Sequence, residues 1–215
     1  MMVLSMKSNP SLQYLKLVVR FRPLSPTLLP GGKGSKTSNM INYLALPTGD
    51  AAPKEVNAVI EIPRGDTNKY EYDKELHVFR LDRNLYSPVH YPGDYGFIPS
   101  TLSGDGDPLD VLVLVDAPSF TGCVMTVRPI GVLLMVDQQS EDEKILAVGL
   151  NNPIYKNLND YSELYPHLLL EIEHFFSVYK ELESKRTRIK GWQNAEAAWG
   201  IVTESQERYR DNHKQ

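Results

Sequence analysis

From Ala58 onward the chain breaks into short apolar or alternating runs, a rhythm that constrains the fold more than any other feature. The runs are Ala58 to Ile62, Lys69 to Tyr72, His77 to Leu81, Val111 to Val115, Val124 to Arg128, Ile130 to Val136 and Lys144 to Val148. Each has the length of a strand and is too short for a buried helix. Between them stand Pro63-Arg64-Gly65, Tyr91-Pro92-Gly93-Asp94 and Ser103-Gly104-Asp105-Gly106. Proline presets one backbone angle and glycine accepts positive φ, so these segments turn the chain. Spacing of this kind closes into a barrel or a sandwich. The last third changes period: Pro166 sits where a first helical turn tolerates it, and Ile172, Phe175, Phe176, Tyr179 and Leu182 recur at helical spacing. A second helix is expected from the N-cap Asn194 through Ala198, Ile201 and Val202 towards Tyr209, so that Gly191 to Ala198 reads as a structural helix start. The residues predict a mainly β fold with α: a β-barrel with two C-terminal helices packed outside, one domain spanning residues 41–215.

Residues 1–40 do not share that rhythm. Pro23, Pro26, Pro30, Gly31, Gly32 and Gly34 punctuate them, and the expectation is a disordered extension, or codons ahead of a true initiator at Met40. Basic, serine-containing and free of acids, the stretch also fits an organelle transit peptide. Cys123 is the single cysteine; it cannot form an internal bridge, reads as a small core residue, and points to the reducing cytoplasm. The best apolar run, Ile130 to Val136, falls far short of the ~20 residues of a membrane span, so no membrane partner is expected. Six of the 23 basic residues and none of the 27 acidic ones lie in residues 1–49, which takes the remainder from the overall −4 to −10. A body that acidic repels nucleic-acid backbones and attracts divalent cations.

The densest polar signal is Asp105-Gly106-Asp107-Pro108-Leu109-Asp110, three carboxylates at the mouth of an apolar run. Like charges so close disfavour one another unless cations intervene, and oxygen-only donors suit Mg²⁺ or Mn²⁺ rather than zinc. A calcium loop does not fit, because its sixth-position glycine falls on Asp110 and its twelfth-position glutamate on Asp116. A second cluster, Asp137 with Glu141, Asp142 and Glu143, follows the next long apolar run; alone it reads as a hairpin turn, but neighbouring strand ends can bring both clusters to one mouth. Glu61 interrupts an apolar run, so it faces either solvent or a site. Lys69 and Glu71 share a strand face. With Arg83, Arg128, Lys144 and Lys180 they supply cations to hold a phosphate-sized anion opposite metal-binding acids.

Asp105-Gly106-Asp107-Pro108-Leu109-Asp110-Val111 resembles the signature of the soluble family I inorganic pyrophosphatases. The similarity extends through Ile60-Glu61-Ile62-Pro63, Lys69-Tyr70-Glu71, Tyr91-Pro92-Gly93-Asp94-Tyr95-Gly96, Asp137 to Lys144, and Phe175-Phe176 with Tyr179-Lys180. The resemblance implies an OB-like five-stranded barrel that hydrolyses inorganic diphosphate with three or more Mg²⁺ ions, Mn²⁺ serving as a substitute. By the same resemblance, Asp105, Asp110 and Asp142 look like ligands of a first metal, Asp110 a bridge to a second, and Asp137 with Asp142 holders of a third. Asp107 is similar to the family's general base. Lys69, Arg83, Tyr95, Lys144, Tyr179 and Lys180 match phosphate-binding positions, and Glu61 and Glu71 match outer carboxylates. The core's length resembles members that form hexamers, and Phe175 and Phe176 are expected to offer apolar surface for a homo-oligomer.

Other chemistries are disfavoured. His77, His90, His167, His174 and His213 form no H-x-x-x-H pair. No phosphate-cradling G-x-x-x-x-G-K-[ST] or G-x-G-x-x-G loop is present. The alternatives are a Mg²⁺ phosphohydrolase of another phosphoanhydride, and an OB-type module binding nucleic acid or protein; the latter needs an aromatic, basic strand face, whereas these runs converge on acids.

Overall fold

The computed structural model describes residues 41–214, and the expectations for residues 1–40 lie outside them. Five strands close into a ring: β1 (Val56–Ile62), β4 (Asp94–Ile98), β5 (Leu109–Leu114), β7 (Ser140–Gly149) and β6 (Val124–Asp137), with β1 pairing back onto β6. The barrel expectation therefore holds. All these pairings are antiparallel except β5 with β7, which run parallel with Asp110 opposite Lys144. β8 (Thr187–Asn194) extends the sheet from the far half of β6. β2 (Asn68–Asp73) and β3 (Val78–Asn84) form a separate hairpin.

Three elements differ from the sequence expectation. β6 is one 14-residue strand, not two; an irregular register between Pro129 and Gly131 lets it leave β1 and take up β8. β4 is a strand the apolar runs do not include, and it begins at Asp94, the last residue of an expected turn. Its five residues are all buried, and Gly96 permits it, since a Cβ there would lie 1.9 Å from the Val59 carbonyl oxygen. Gly191 to Asn194 belong to β8, not to a helix start; the helix begins one residue later, with Asn194 Oδ1 capping the Ala197 amide at 3.0 Å. The helices are α1 (Pro166–Val178) and α2 (Ala195–Asn212). α1 ends before Leu182, which is exposed.

Because successive strand residues point to opposite faces, the strands feed two layers. Val111, Val113, Ile145 and Ala147 join Val56, Ala58 and Ile60 in one, together with Ala198 and Val202 of α2. Leu112, Leu114, Leu146 and Val148 join the other, covered by Ile172, Phe175 and Phe176 of α1. Phe175 and Phe176 are buried within the chain's own core, so the apolar surface expected of them for oligomer contacts is not there. Cys123 is half-buried against the first layer.

Candidate active site

The same alternation that buries Leu112 and Leu146 carries Asp110, Asp142 and Lys144 onto their face, where strand ends open into a cavity of about 360 Å³. Glu61 enters from β1, Lys69 and Glu71 from β2, Tyr95 from β4, Asp137 from the end of β6, and Tyr179 and Lys180 from just beyond α1. Asp105 and Asp107 line it from the loop before β5. That loop is fixed by backbone contacts: the Ser103 amide donates to the Asp107 carbonyl at 2.7 Å, and the Asp107 amide to Asp105 Oδ1 at 3.0 Å. Gly106 supplies the positive φ of +90° that the turn requires.

Two cations expected to hold the anion do not line the cavity: Arg128 Nη2 donates instead to the carbonyls of Tyr155 at 3.1 Å and Lys156 at 3.0 Å, and the second is Arg83. It stands opposite Lys69 on the hairpin, but Glu183 accepts from its Nε at 2.8 Å and Asp82 engages Nη1. Glu141 and Glu143 lie within β7, since the hairpin turns at Gln138 with φ +58°. Glu141 pairs with Lys190. Two wall residues escaped the sequence reading. Tyr91, at the head of an expected turn, lines the cavity with a buried hydroxyl that has no partner among the described residues. Lys74, in the β2–β3 turn, reaches Asp107 Oδ1 at 2.6 Å; the Asp-initiated turn directly after Lys69-Tyr70-Glu71 was the available signal.

Lysines engage the carboxylates pairwise. Lys144 contacts Asp110 and donates to Asp142 Oδ1 at 2.7 Å, and Lys180 donates to Asp137 Oδ2 at 2.5 Å. Burial alone would lower the Lys144 pKa, but Asp110 and Asp142 outweigh it and hold the ammonium above its ordinary range. Burial lowers Lys180 too, and Tyr179 with Asp137 overcomes it. Asp142 is raised by burial, with Lys144 opposing. Glu61 is pushed up from 4.5 to about 8 by burial, against the Tyr72 amide that donates to its Oε1 at 2.8 Å. Tyr95 and Tyr179 are raised by burial, so both are neutral hydrogen-bond donors.

Among the described residues no three acidic, imidazole or thiol side chains converge on one point as they stand. The donor chemistry nevertheless fits a hard cation: every candidate is a carboxylate, and Asp137 Oδ1 is a buried acceptor without a partner.

A family model for inorganic pyrophosphatase matches residues 58–210. Over 158 residues the chain is 50% identical to an inorganic pyrophosphatase of Halalkalibacterium halodurans, covering 74% of this chain and 97% of that protein. An inorganic pyrophosphatase of Synechocystis is 51% identical over 162 residues, covering 74% and 96%. Among solved structures, the crystal structure of inorganic pyrophosphatase from Thermus thermophilus aligns with a TM-score of 0.78 at 44% identity, over 79% of this chain and 99% of that one.

Proposed function

This chain belongs to the inorganic pyrophosphatase family, and on that premise we propose that its cavity hydrolyses inorganic diphosphate to two phosphates with Mg²⁺, Asp107 acting as the general base. One observation supports this most: six ring-strand and loop carboxylates share a single cavity with Lys69, Lys144 and Lys180. A polyanion with its cations needs both signs at once. No separate observation favours another phosphoanhydride or a nucleic-acid-binding module. The activity is assigned to residues 41–215.

Asp105, Asp110 and Asp142 would hold a first ion, Asp110 would bridge to a second, and Asp137 with Asp142 would hold a third, the unpartnered Asp137 Oδ1 being available for it. Bound Mg²⁺ supplies Lewis acidity that makes water a better nucleophile and offsets charge on the departing phosphate, and Mn²⁺ can replace it. Asp107 accepts one proton of the attacking water as the new P–O bond forms. The bridging P–O bond breaks, and its electron pair leaves with the second phosphate. Lys69, Lys144 and Lys180 bind phosphate oxygens, and Tyr95 and Tyr179 donate hydrogen bonds without adding charge. Arg83 can join them only on leaving Glu183 and Asp82. Glu61 and Glu71 orient waters from the cavity wall.

The test is phosphate release by the full chain from diphosphate with Mg²⁺. Release is expected, abolished by a chelator, restored by Mg²⁺ and inhibited by Ca²⁺, whose looser coordination makes it a poorer acid for water. Turnover of nucleotides without turnover of diphosphate overturns the reading.

A further inference from the structure

Asp107 has one side-chain partner among the described residues, and it comes from a different element. Lys74 Nζ lies 2.6 Å from Asp107 Oδ1, although 33 positions separate the two residues, and both line the cavity. The backbone on each side is held. Asp73 Oδ1 accepts from the amides of Glu75 at 3.0 Å and Leu76 at 2.8 Å, its Oδ2 accepts from Arg80 at 3.0 Å, and the His77 amide closes onto the Asp73 carbonyl at 2.9 Å. Lys74 thus projects from a fixed turn at the end of the strand that carries Lys69 and Glu71. Across the cavity, the Asp107 amide and carbonyl are both tied into the Gly106 loop, which fixes its Cα and leaves its carboxylate free to rotate. Lys74 is what restrains it.

The pair does little for the fold. The two side chains are 51% and 65% exposed, and an ion pair so open to water adds little stability. A contact that stabilises little, yet ends on the carboxylate that takes the proton, has its effect on orientation. A misplacement of about 1 Å at a reacting group can cost two orders of magnitude in rate. We infer that Lys74 is a positioning residue: it holds the Asp107 carboxylate turned into the cavity, ahead of substrate, for proton abstraction. The inference rests on the reading of Asp107 as general base.

The experiment is steady-state kinetics on Mg²⁺-diphosphate with the full chain and its Lys74→Met, Lys74→Arg, Asp107→Asn and Lys74→Met/Asp107→Asn variants. Lys74→Met is expected to lower kcat about 10-fold with KM changed less than about twofold, and Lys74→Arg to restore most of it. Tm is expected to stay within about 2 °C. In the Asp107→Asn background Lys74→Met is expected to change nothing further, because the group it orients is gone. An undiminished kcat in Lys74→Met overturns the inference. So does an effect confined to KM, or an equal loss in both backgrounds, since each means that Lys74 acts on substrate and not through Asp107. The general-base reading has its own readout: if Asp107→Asn alone keeps its kcat, that reading fails and takes the positioning role with it.

Discussion

Glu61 is the cavity carboxylate whose cost to the fold is most visible. Asp110, Asp137 and Asp142 each have a lysine; among the described residues the Glu61 carboxylate has only the Tyr72 amide, and burial raises its pKa from 4.5 to about 8. Between those two values the unfolded chain has released this proton and the folded chain retains it, so stability falls as pH rises through the window. Glu61→Gln keeps the acceptor for Tyr72 and removes the ionisation. In chelator it is expected to raise Tm by about 5 °C at the upper end of the window and to leave Tm unchanged below 4.5; a pH series of thermal melts checks this, and an equal gain at both ends refutes it. Side chains of this kind were legible where strand period alone decides their direction. Lys69 and Glu71 share a face because they are two apart, and they meet as an ion pair on the cavity wall. Arg83 was not legible, because the contact that turns it away is with Glu183, 100 residues later in the chain. Lys74 was missed for the converse reason: a lysine in an exposed turn looks like a solvated charge until Asp107 is placed beside it.

At the scale of elements, β4 decides whether the cavity exists. It spans from β1 to β5, placing Tyr95 beside Asp110's strand, and it approaches β1 so closely that Gly96 has no room for a side chain. Gly96→Ala would press a methyl group into the Val59 carbonyl, which is backbone and cannot turn aside. The expected result is a loss of more than ~3 kcal/mol in urea unfolding, among the larger effects of single substitutions. A loss below ~1 kcal/mol would show that the two strands can separate without harm. The need for close approach is also why the strand was hidden: Asp94-Tyr95-Gly96 directly after Pro92-Gly93 has the composition of a turn. β8 was hidden differently. Its half-exposed, polar run from Thr187 has no apolar alternation and gains its pairing from β6. The helices were legible because their signals are local: Pro166 at the first position of α1, and Asn194 capping α2.

For the whole molecule, the hexamer implied by the family resemblance needs surface other than Phe175 and Phe176. α1 still presents Leu170, 59% exposed, with Tyr165 before it and Leu182 beyond it also open. We propose that these carry a homo-oligomeric contact. Light scattering on the full chain at micromolar concentration is expected to give six times the chain mass, and the mass of one chain overturns the proposal. No helix among the described residues is long and apolar enough to cross a membrane. Closing five strands into a ring removes their free hydrogen-bonding sides, and among the described residues the strands left with an unpaired side are β2, β3 and β8. Such rims can recruit strands from other molecules and seed fibres. Here β3 carries Arg80, Asp82 and Arg83, and β8 carries Arg188 and Lys190. Two copies brought rim to rim along β8 would oppose cation to cation, so this rim resists strand-to-strand pairing and leaves association to the α1 surface.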